Sequence, residues 1–180
     1  MNTTFTAKDH SQVTLRPAQQ HDASQIVDAV KGIISSGKYI QKEKARTATE
    51  EEQFISEMNA KENMYTVAEC EGKVVGIARV IRGEISMKRH TGLFRTWLID
   101  EVQGLGIGKK IMEYTIKWCE THQLHKLCLT VFASNEPAFQ LYKKYGFVEE
   151  GRQKDQVLID GVFDDEIFMA YFFNHKFTSE

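Results

Sequence analysis

The chain lacks the features that mark secreted, membrane-spanning and disulfide-rich proteins. Its 180 residues contain only three cysteines, Cys70, Cys119 and Cys128. They are odd in number and lie in apolar stretches, which is typical of buried thiols in a reducing compartment and not of a disulfide framework. No stretch approaches the roughly 20 apolar residues that cross a bilayer, and residues 1–11 contain no apolar signal core. We therefore expect a cytoplasmic protein without a membrane partner.

The chain also has a small net charge and little proline. The formal net charge of -2 gives no field that would attract phosphate backbones, so we expect no nucleic-acid partner. Only Pro17 and Pro137 interrupt the chain, and no Ser/Gly-rich tract provides a linker. With 42% apolar residues the chain can bury a substantial core. We expect a single domain over residues 1–180, in which residues 1–12 form a flexible or edge segment.

Hydrophobic periodicity predicts the element order βααβββαβαββ. Strands are predicted over 13–16, 65–70, 74–81, 93–99 and 127–132, around Phe147 and over 167–172; helices are predicted after Asp22, after Thr49, from Gly106 to about His122 and from Asn135 to Tyr145. Asp22 can cap the first helix, and Thr49 with Glu52 has capping-box spacing. Residues 37–46 are polar and basic and predict a loop or frayed helix. The strand-helix-strand unit over 93–132 requires a parallel crossover, which favours an α/β fold with helices on both faces of a mixed sheet.

A glycine-rich turn, Gln103-Gly104-Leu105-Gly106-Ile107-Gly108-Lys109, connects a predicted strand to a predicted helix. Backbone N–H groups at such a helix start bind anions, and a pyrophosphate fits this pattern. A P-loop does not, because Gln103 replaces its first glycine and Lys110 its hydroxyl residue. A dinucleotide fingerprint fails as well, because Lys109 or Ile111 stands where its last small residue is needed. The turn therefore predicts a phosphate site of another kind, or serves only to shape the helix entry.

A second motif, Asn-x-x-Ala-x-x-Leu-Tyr-x-x-x-Gly-Phe, spans residues 135–147. Together with Gln-x-x-Gly-x-Gly at 103–108, it resembles the two acetyl-CoA motifs of the GNAT superfamily of N-acetyltransferases. The resemblance covers residues 65–172, and the first 60 residues match only in element order. Over residues 124–169 the chain is most similar to spermidine and ribosomal-protein N-terminal acetyltransferases.

This resemblance implies a GNAT-like α/β fold, with a mixed, mostly antiparallel sheet and a splayed pair of parallel strands. It also implies acetyl transfer from acetyl-CoA to a primary amine by direct attack in a ternary complex, releasing coenzyme A and using no metal. The acceptor is a small amine, a polyamine, an amino acid or a protein N-terminus. The alternatives on the same fold are a non-catalytic acyl-CoA sensor and a partner-binding module.

The resemblance also assigns roles to individual residues. The backbone of Trp97, Leu98 and Ile99 pairs with the pantetheine arm, and Asn135 forms a hydrogen bond with coenzyme A. Tyr142 is the general acid for the departing thiolate. The pyrophosphate is received by Gln103, Gly104, Gly106, Ile107, Gly108 and Lys109. Each has a structural alternative: Asn135 can cap a helix, Tyr142 can fill the core, and Trp97 to Ile99 can be core-strand residues.

The general base is less well defined. An amine with a pKa near ~10.4 must lose a proton before it attacks. Many relatives place a glutamate where this chain has Leu93 and Phe94. Glu84, His90 and Glu101 are the candidates, and a chain of ordered water is the alternative.

The remaining signals concern metal, partners and acceptor. His122 and His125 lack a cysteine or carboxylate that would complete a metal set, so no metal is expected. Tyr145 and the run Tyr171 to Phe173 are core aromatics or the contact of a homodimer. Residues 147–180 carry eight acidic against three basic side chains, which favours a cationic acceptor or a solvated face.

Overall fold

The computed structural model describes residues 1–36 and 39–174. The strands are β1 Thr3–Thr6, β2 Gln12–Pro17, β3 Met64–Cys70, β4 Lys73–Arg82, β5 Thr91–Leu98, β6 Lys126–Phe132, β7 Val148–Ile159 and β8 Val162–Phe172; the helices are α1 Ala23–Ser36, α2 Ala48–Ala60, α3 Ile107–Thr121 and α4 Glu136–Lys144. The predicted element order is confirmed, with β1 as an additional strand. Of the predicted loop over 37–46, Gly37 and Lys38 lie outside the described residues, and the rest forms neither helix nor strand.

The strands form one sheet in which hydrogen-bonded neighbours have the order β1-β2-β3-β4-β5-β6-β8-β7. Strand β5 pairs with β6 in parallel, while β1–β2, β2–β3, β3–β4, β6–β8 and β7–β8 are antiparallel. The parallel register joins only Thr91–Leu93 to Lys126–Cys128, although β5 continues to Leu98 and β6 to Phe132. The predicted α/β fold, a mixed and mostly antiparallel sheet with one splayed parallel pair, is confirmed.

The chain forms two compact units. The first contains Met1–Ile81 and Arg95–Ile116, and the second contains Arg82–Phe94 and the chain from Lys117 onward. The boundaries fall inside β4, β5 and α3. That the whole chain is a single domain therefore stays a prediction.

The core of the first unit lies between its helices and its strands. Buried apolar side chains of α1 and α2 pack against those of β3 and β4. The set includes Ile26 and Val30 of α1, Ile55 and Met58 of α2, Val67 of β3 and Ile77 of β4.

Helix α2 begins two residues earlier than the predicted capping box. Thr47 Oγ1 accepts from the Glu50 amide at 3.2 Å, and the Glu50 carboxylate accepts from the Thr47 amide at 2.7 Å.

Asp22 does not cap α1, because it lies in a 3-10 turn that precedes the helix. Its carboxylate is 1% exposed and accepts from Arg16 Nη1 at 2.8 Å and from the Gln19 amide at 2.8 Å. Arg16 Nη2 also forms an ion pair with Glu69 Oε2 at 2.6 Å. Asp22 thus ties the turn to strand β2 through a buried ion pair.

Two tight hairpins close the antiparallel pairs. Glu71 (φ 50°) and Gly72 (φ 78°) connect β3 to β4, and Asp160 (φ 51°) and Gly161 (φ 79°) connect β7 to β8. Positive φ at both central residues is characteristic of the two-residue hairpin turn whose twist matches that of the flanking strands.

The three cysteines are free, with Cys119 buried. Burial raises the pKa of the Cys119 thiol well above its usual value. Within residues 1–36 and 39–174, no helix combines the length and apolar character needed to span a membrane.

Candidate active site

The glycine-rich turn leads from the end of β5 into α3. A 3-10 turn, Asp100–Val102, comes first, and the backbone then passes through Gly104 (φ +75°) and Gly106 (φ +89°) before α3 begins. A Cβ at either glycine would meet no atom within 4 Å. Glycine is therefore needed here for its backbone conformation, and the space beside the turn is open. The first amides of α3 have no acceptor within the helix, so the turn can bind an anion.

The N-terminal segment supports this turn. The Lys8 amide donates to the Leu105 carbonyl at 3.1 Å, and Lys8 Nζ donates to the Gly104 carbonyl at 3.0 Å. Phe5 to Lys8, Leu105, Gly106, Lys109 and Lys110 line a shallow depression beside the turn. Sequence reasoning missed Lys8, because 96 positions separate it from Gly104.

Gln103 uses its side chain to close the turn. Its Nε2 donates to Asp100 Oδ1 at 2.9 Å and to the Leu98 carbonyl at 3.3 Å. The side chain thus holds the end of β5 to the glycines. Pyrophosphate binding by Gln103 and its neighbours stays a prediction.

The end of β5 lies directly against β4. The Ile99 amide donates to the Val75 carbonyl at 3.0 Å, and Thr96 Oγ1 donates to the Ile77 carbonyl at 2.7 Å. A Cβ added at Gly76 would lie 2.4 Å from Leu98 Cδ2 and 2.7 Å from the Trp97 carbonyl oxygen. The absence of a side chain at Gly76 therefore allows the strand assigned to pantetheine to lie this close to β4, a role that the sequence did not reveal.

Asn135 caps α4 in the second unit. Its Oδ1 accepts from the Ala138 amide at 3.4 Å, and its carbonyl accepts from the Phe139 amide at 3.0 Å. Pro137 lies in the first turn, where a missing N–H costs nothing. The capping interpretation is confirmed, and the contact with coenzyme A stays a prediction.

Tyr142 lies at the C-terminal end of α4, where the helix closes in a Schellman motif. The Phe147 amide donates to the Tyr142 carbonyl at 3.1 Å, and the Gly146 amide donates to the Lys143 carbonyl at 3.0 Å. Gly146 has a φ of +91°. The half-buried Tyr142 ring lies 5.7 Å from that of Phe147 and 6.5 Å from that of Phe94. Packing thus holds the ring, and the acid role stays a prediction.

The three base candidates are all exposed. Glu84 and His90 lie between β4 and β5 in the second unit, whereas Glu101 lies in the 3-10 turn of the first unit. The His90 carbonyl accepts from the His125 and Lys126 amides at 2.8 and 3.1 Å. Four strand positions, about 13 Å, separate His90 from the Phe94 beside Tyr142. The choice among the three base candidates therefore stays a prediction.

The two histidines after α3 both pack against aromatic rings, and the His125 ring meets that of Phe172 edge-on at 6.1 Å. The His122 ring stacks on Trp118 at 3.9 Å between centroids, and its Nδ1 lies 2.8 Å from the Trp118 carbonyl. Across the described part of the chain, no three His, Cys, Asp or Glu side chains are grouped to hold a metal ion.

Comparison with known proteins gives a family. Residues 33–147 match the profile of the acetyltransferase (GNAT) family. An L-amino acid N-acetyltransferase of Escherichia coli is 31% identical over 105 residues, which are 58% of this chain and 65% of the relative. Spermidine N(1)-acetyltransferase of Escherichia coli is 30% identical over 115 residues, 63% of this chain and 60% of the relative. The chain thus matches less than two thirds of the length of these relatives.

The fold is shared with solved structures. A phosphinothricin acetyltransferase of the GNAT superfamily from Sinorhizobium meliloti, solved in complex with acetyl-CoA, superposes with a TM-score of 0.81. The superposition covers 93% of this chain and 88% of that one, at 22% identity. At this identity the likeness concerns the fold.

Proposed function

Because the chain belongs to the acetyltransferase (GNAT) family, we propose that it is an N-acetyltransferase that transfers the acetyl group of acetyl-CoA to a primary amine. The observation that most supports the cofactor is the glycine turn, whose open side and positive φ values leave room for a pyrophosphate at a helix N-terminus. The Sinorhizobium meliloti acetyltransferase of similar fold, which was solved in complex with acetyl-CoA, also supports this choice of cofactor.

The residues that we assign to the cofactor come from three segments of the chain: the end of β5, the turn before α3 and the start of α4. In the first unit, the backbone of Trp97, Leu98 and Ile99 holds the pantetheine arm, and the turn from Gln103 to Lys109 holds the pyrophosphate. In the second unit, Asn135 donates a hydrogen bond from the side-chain amide that does not cap α4. Acetyl-CoA supplies the acetyl group as a thioester.

The reaction is a direct attack of the amine on the thioester carbonyl carbon. The new C–N bond forms, the C–S bond breaks, and coenzyme A leaves with its sulfur electrons. Tyr142 gives the departing sulfur a proton or a hydrogen bond, which lowers the barrier. Glu84, His90 or Glu101, or ordered water, takes the proton that the amine loses.

The acceptor is a primary amine of small molecular size or a peptide N-terminus. Relatives are named for L-amino acids and for spermidine, which differ in charge although both present an amine.

Thermal unfolding with and without acetyl-CoA tests the cofactor assignment. At a hundredfold excess over Kd, binding stabilises the native state by about 2.7 kcal/mol, which raises Tm by roughly 5 to 10 °C for a chain of this length. Gly108→Asp should abolish the shift, because a carboxylate at the helix start repels phosphate. Gly151→Asp is the matched control, since a side chain at Gly151 meets nothing within 4 Å and the residue lies on β7. No shift in the native protein at saturating acetyl-CoA contradicts the proposal.

A further inference from the structure

Four cationic side chains of the first unit lie near one another, two on strands β4 and β5 and two in the loop before α2. This cation cluster consists of Lys42, Arg46, Arg79 and Arg95. Arg79 is the cross-strand partner of Tyr65, so both side chains lie on the same face. The cluster was not visible in the sequence, because helix α2, strands β3 and β4 and a total of 53 positions separate its first and last members.

The cluster is built around Phe54 of α2. The Arg46 guanidinium carbon lies 3.8 Å above the centre of the Phe54 ring, and that of Arg79 lies 5.6 Å away. The Phe54 ring meets Tyr65 edge-on at 5.3 Å. Arg46 and Arg79 are thus half-buried against an aromatic ring, and Lys42 and Arg95 are half-buried as well.

The Glu51 carboxylate lies against Arg46, and both of its oxygens are already engaged. Glu51 is 3% exposed; Oε1 accepts from the Tyr65 hydroxyl, and Oε2 accepts from Arg46 Nη1 at 2.9 Å. Within the described ranges, no ion pair is formed by Lys42 or Arg79. Lys42, Arg46 and Arg79 therefore carry more positive charge than Glu51 neutralises.

The surplus is costly to maintain. Burial and the charges of Arg46 and Arg79 lower the pKa of Lys42, and burial together with Arg46 and Arg95 lowers the pKa of Arg79, although the nearby Tyr65 and Glu51 act the other way. A bound anion would offset this repulsion.

We propose that the cation cluster receives the carboxylate of the acceptor, so that the preferred acceptor is an amino acid rather than a polyamine. The inference rests on the proposed acetyl transfer. Arg95 precedes Trp97 by two positions on β5, so the two side chains share a face and lie about 7 Å apart along the strand. A carboxylate held there places its amine beside the strand assigned to the pantetheine arm. Guanidinium groups bind carboxylates through charge-assisted, often bidentate hydrogen bonds.

Acetyl transfer to matched acceptors tests this assignment. The probes are a mixture of L-amino acids, the mixture of their primary amides, and spermidine, with release of free thiol as the readout. We expect kcat/KM for the free acids to exceed that for the amides by about tenfold or more, the size expected of hydrogen bonds to a charged group. Spermidine should be the poorest acceptor, because its charges repel the cluster.

The Arg79→Gln variant separates recognition from structure. It should lower kcat/KM for the free acids by about tenfold while leaving the amides unchanged. Its Tm should equal or exceed that of the native protein, because a repelling charge is removed, and its acetyl-CoA shift should persist. Arg152→Gln is the control, since Arg152 pairs with Glu149 and Asp165 in the second unit, away from the proposed machinery.

The outcomes distinguish this inference from the proposed function. Faster transfer to spermidine or to the amides than to free acids overturns the carboxylate subsite and leaves the acetyltransferase intact. Equal losses for acids and amides in Arg79→Gln overturn it as well. Absence of transfer to every amine, with acetyl-CoA still bound, contradicts the proposed function itself.

Discussion

The Gly76→Ala substitution should destabilise the first unit, because β5 lies directly against the backbone of Gly76. The added Cβ would lie 2.4 Å from Leu98 Cδ2 and 2.7 Å from the Trp97 carbonyl oxygen. The Leu98 side chain can rotate away, but the carbonyl belongs to the strand, so β5 must move. Overpacking of this kind costs about 1–3 kcal/mol, which lowers Tm by roughly 2 to 12 °C for a chain of this size.

Thermal unfolding followed by circular dichroism measures this effect, and Gly32→Ala is its control. Gly32 lies on the exposed side of α1, and a Cβ there meets nothing within 4 Å. Alanine should therefore stabilise the helix at that position by about 0.5–1 kcal/mol. The same substitution type thus has opposite signs at the two sites.

The Gly76→Ala variant should also show a smaller acetyl-CoA shift, since Trp97 and Leu98 belong to the strand assigned to pantetheine. Gly32→Ala should keep the full shift. If Gly76→Ala unfolds at or above the native Tm, the close approach of β5 to Gly76 is wrong.

Three further substitutions test other parts of the molecule. Asp22→Asn should lower the free energy of unfolding by about 3 kcal/mol at neutral pH. This is near the lower end of the cost of breaking a buried ion pair, because Arg16 still pairs with Glu69. Burial raises the pKa of Asp22, but hydrogen bonds from Arg16 and the Gln19 amide hold it below 3.8 overall. The loss of stability in Asp22→Asn should therefore shrink as the pH falls from about 4 toward 2. A difference in the free energy of unfolding that stays constant with pH in urea titrations contradicts this. Asn135→Ala should cost about 1 kcal/mol in the same titrations, whereas Asn135→Ser keeps the cap and should weaken only acetyl-CoA binding; equal stability of all three proteins refutes the cap. Tyr142→Phe should keep fold and acetyl-CoA affinity but lower the single-turnover rate at least about tenfold, and a native rate removes the acid role.

The sequence predicted the elements where its local signals were unambiguous. Glu71-Gly72 between two β-rich runs has the composition of a tight hairpin, and the structure has that turn. The capping box was displaced because two Thr-x-x-Glu patterns overlap, Thr47 with Glu50 and Thr49 with Glu52. Local spacing cannot choose between them. In the structure, Arg46 reaches Glu51 just inside the helix, which is consistent with the earlier start.

Elements without an apolar face were harder to predict. Strand β1 has mostly exposed positions, and β7 is exposed over most of Val148–Ile159. Such strands are held by pairing with a neighbour, and their own sequence carries little alternation.

The two motifs that resemble acetyl-CoA motifs are each continuous in sequence and could be recognised there, whereas the cation cluster could not. Arg79 and Arg95 come from different strands, and Lys42 and Arg46 come from a loop. Only the pairing of β3 with β4 and the packing of α2 bring these side chains together. The role of Gly76 was hidden for the same reason, since its neighbours Trp97 and Leu98 are distant in the chain.

The central claim is acetyl transfer from acetyl-CoA to an amine, and isotope transfer tests it most directly. Acetyl-CoA labelled with carbon-13 at the acetyl group is incubated with the protein and the mixture of L-amino acids, and the products are followed by NMR. The account predicts that the label appears in an N-acetyl amide, that one free thiol is released for each amide formed, and that Gly108→Asp abolishes both. Bound acetyl-CoA that is never consumed would indicate a sensor, and label that appears only as free acetate would indicate a thioesterase; either result contradicts the account.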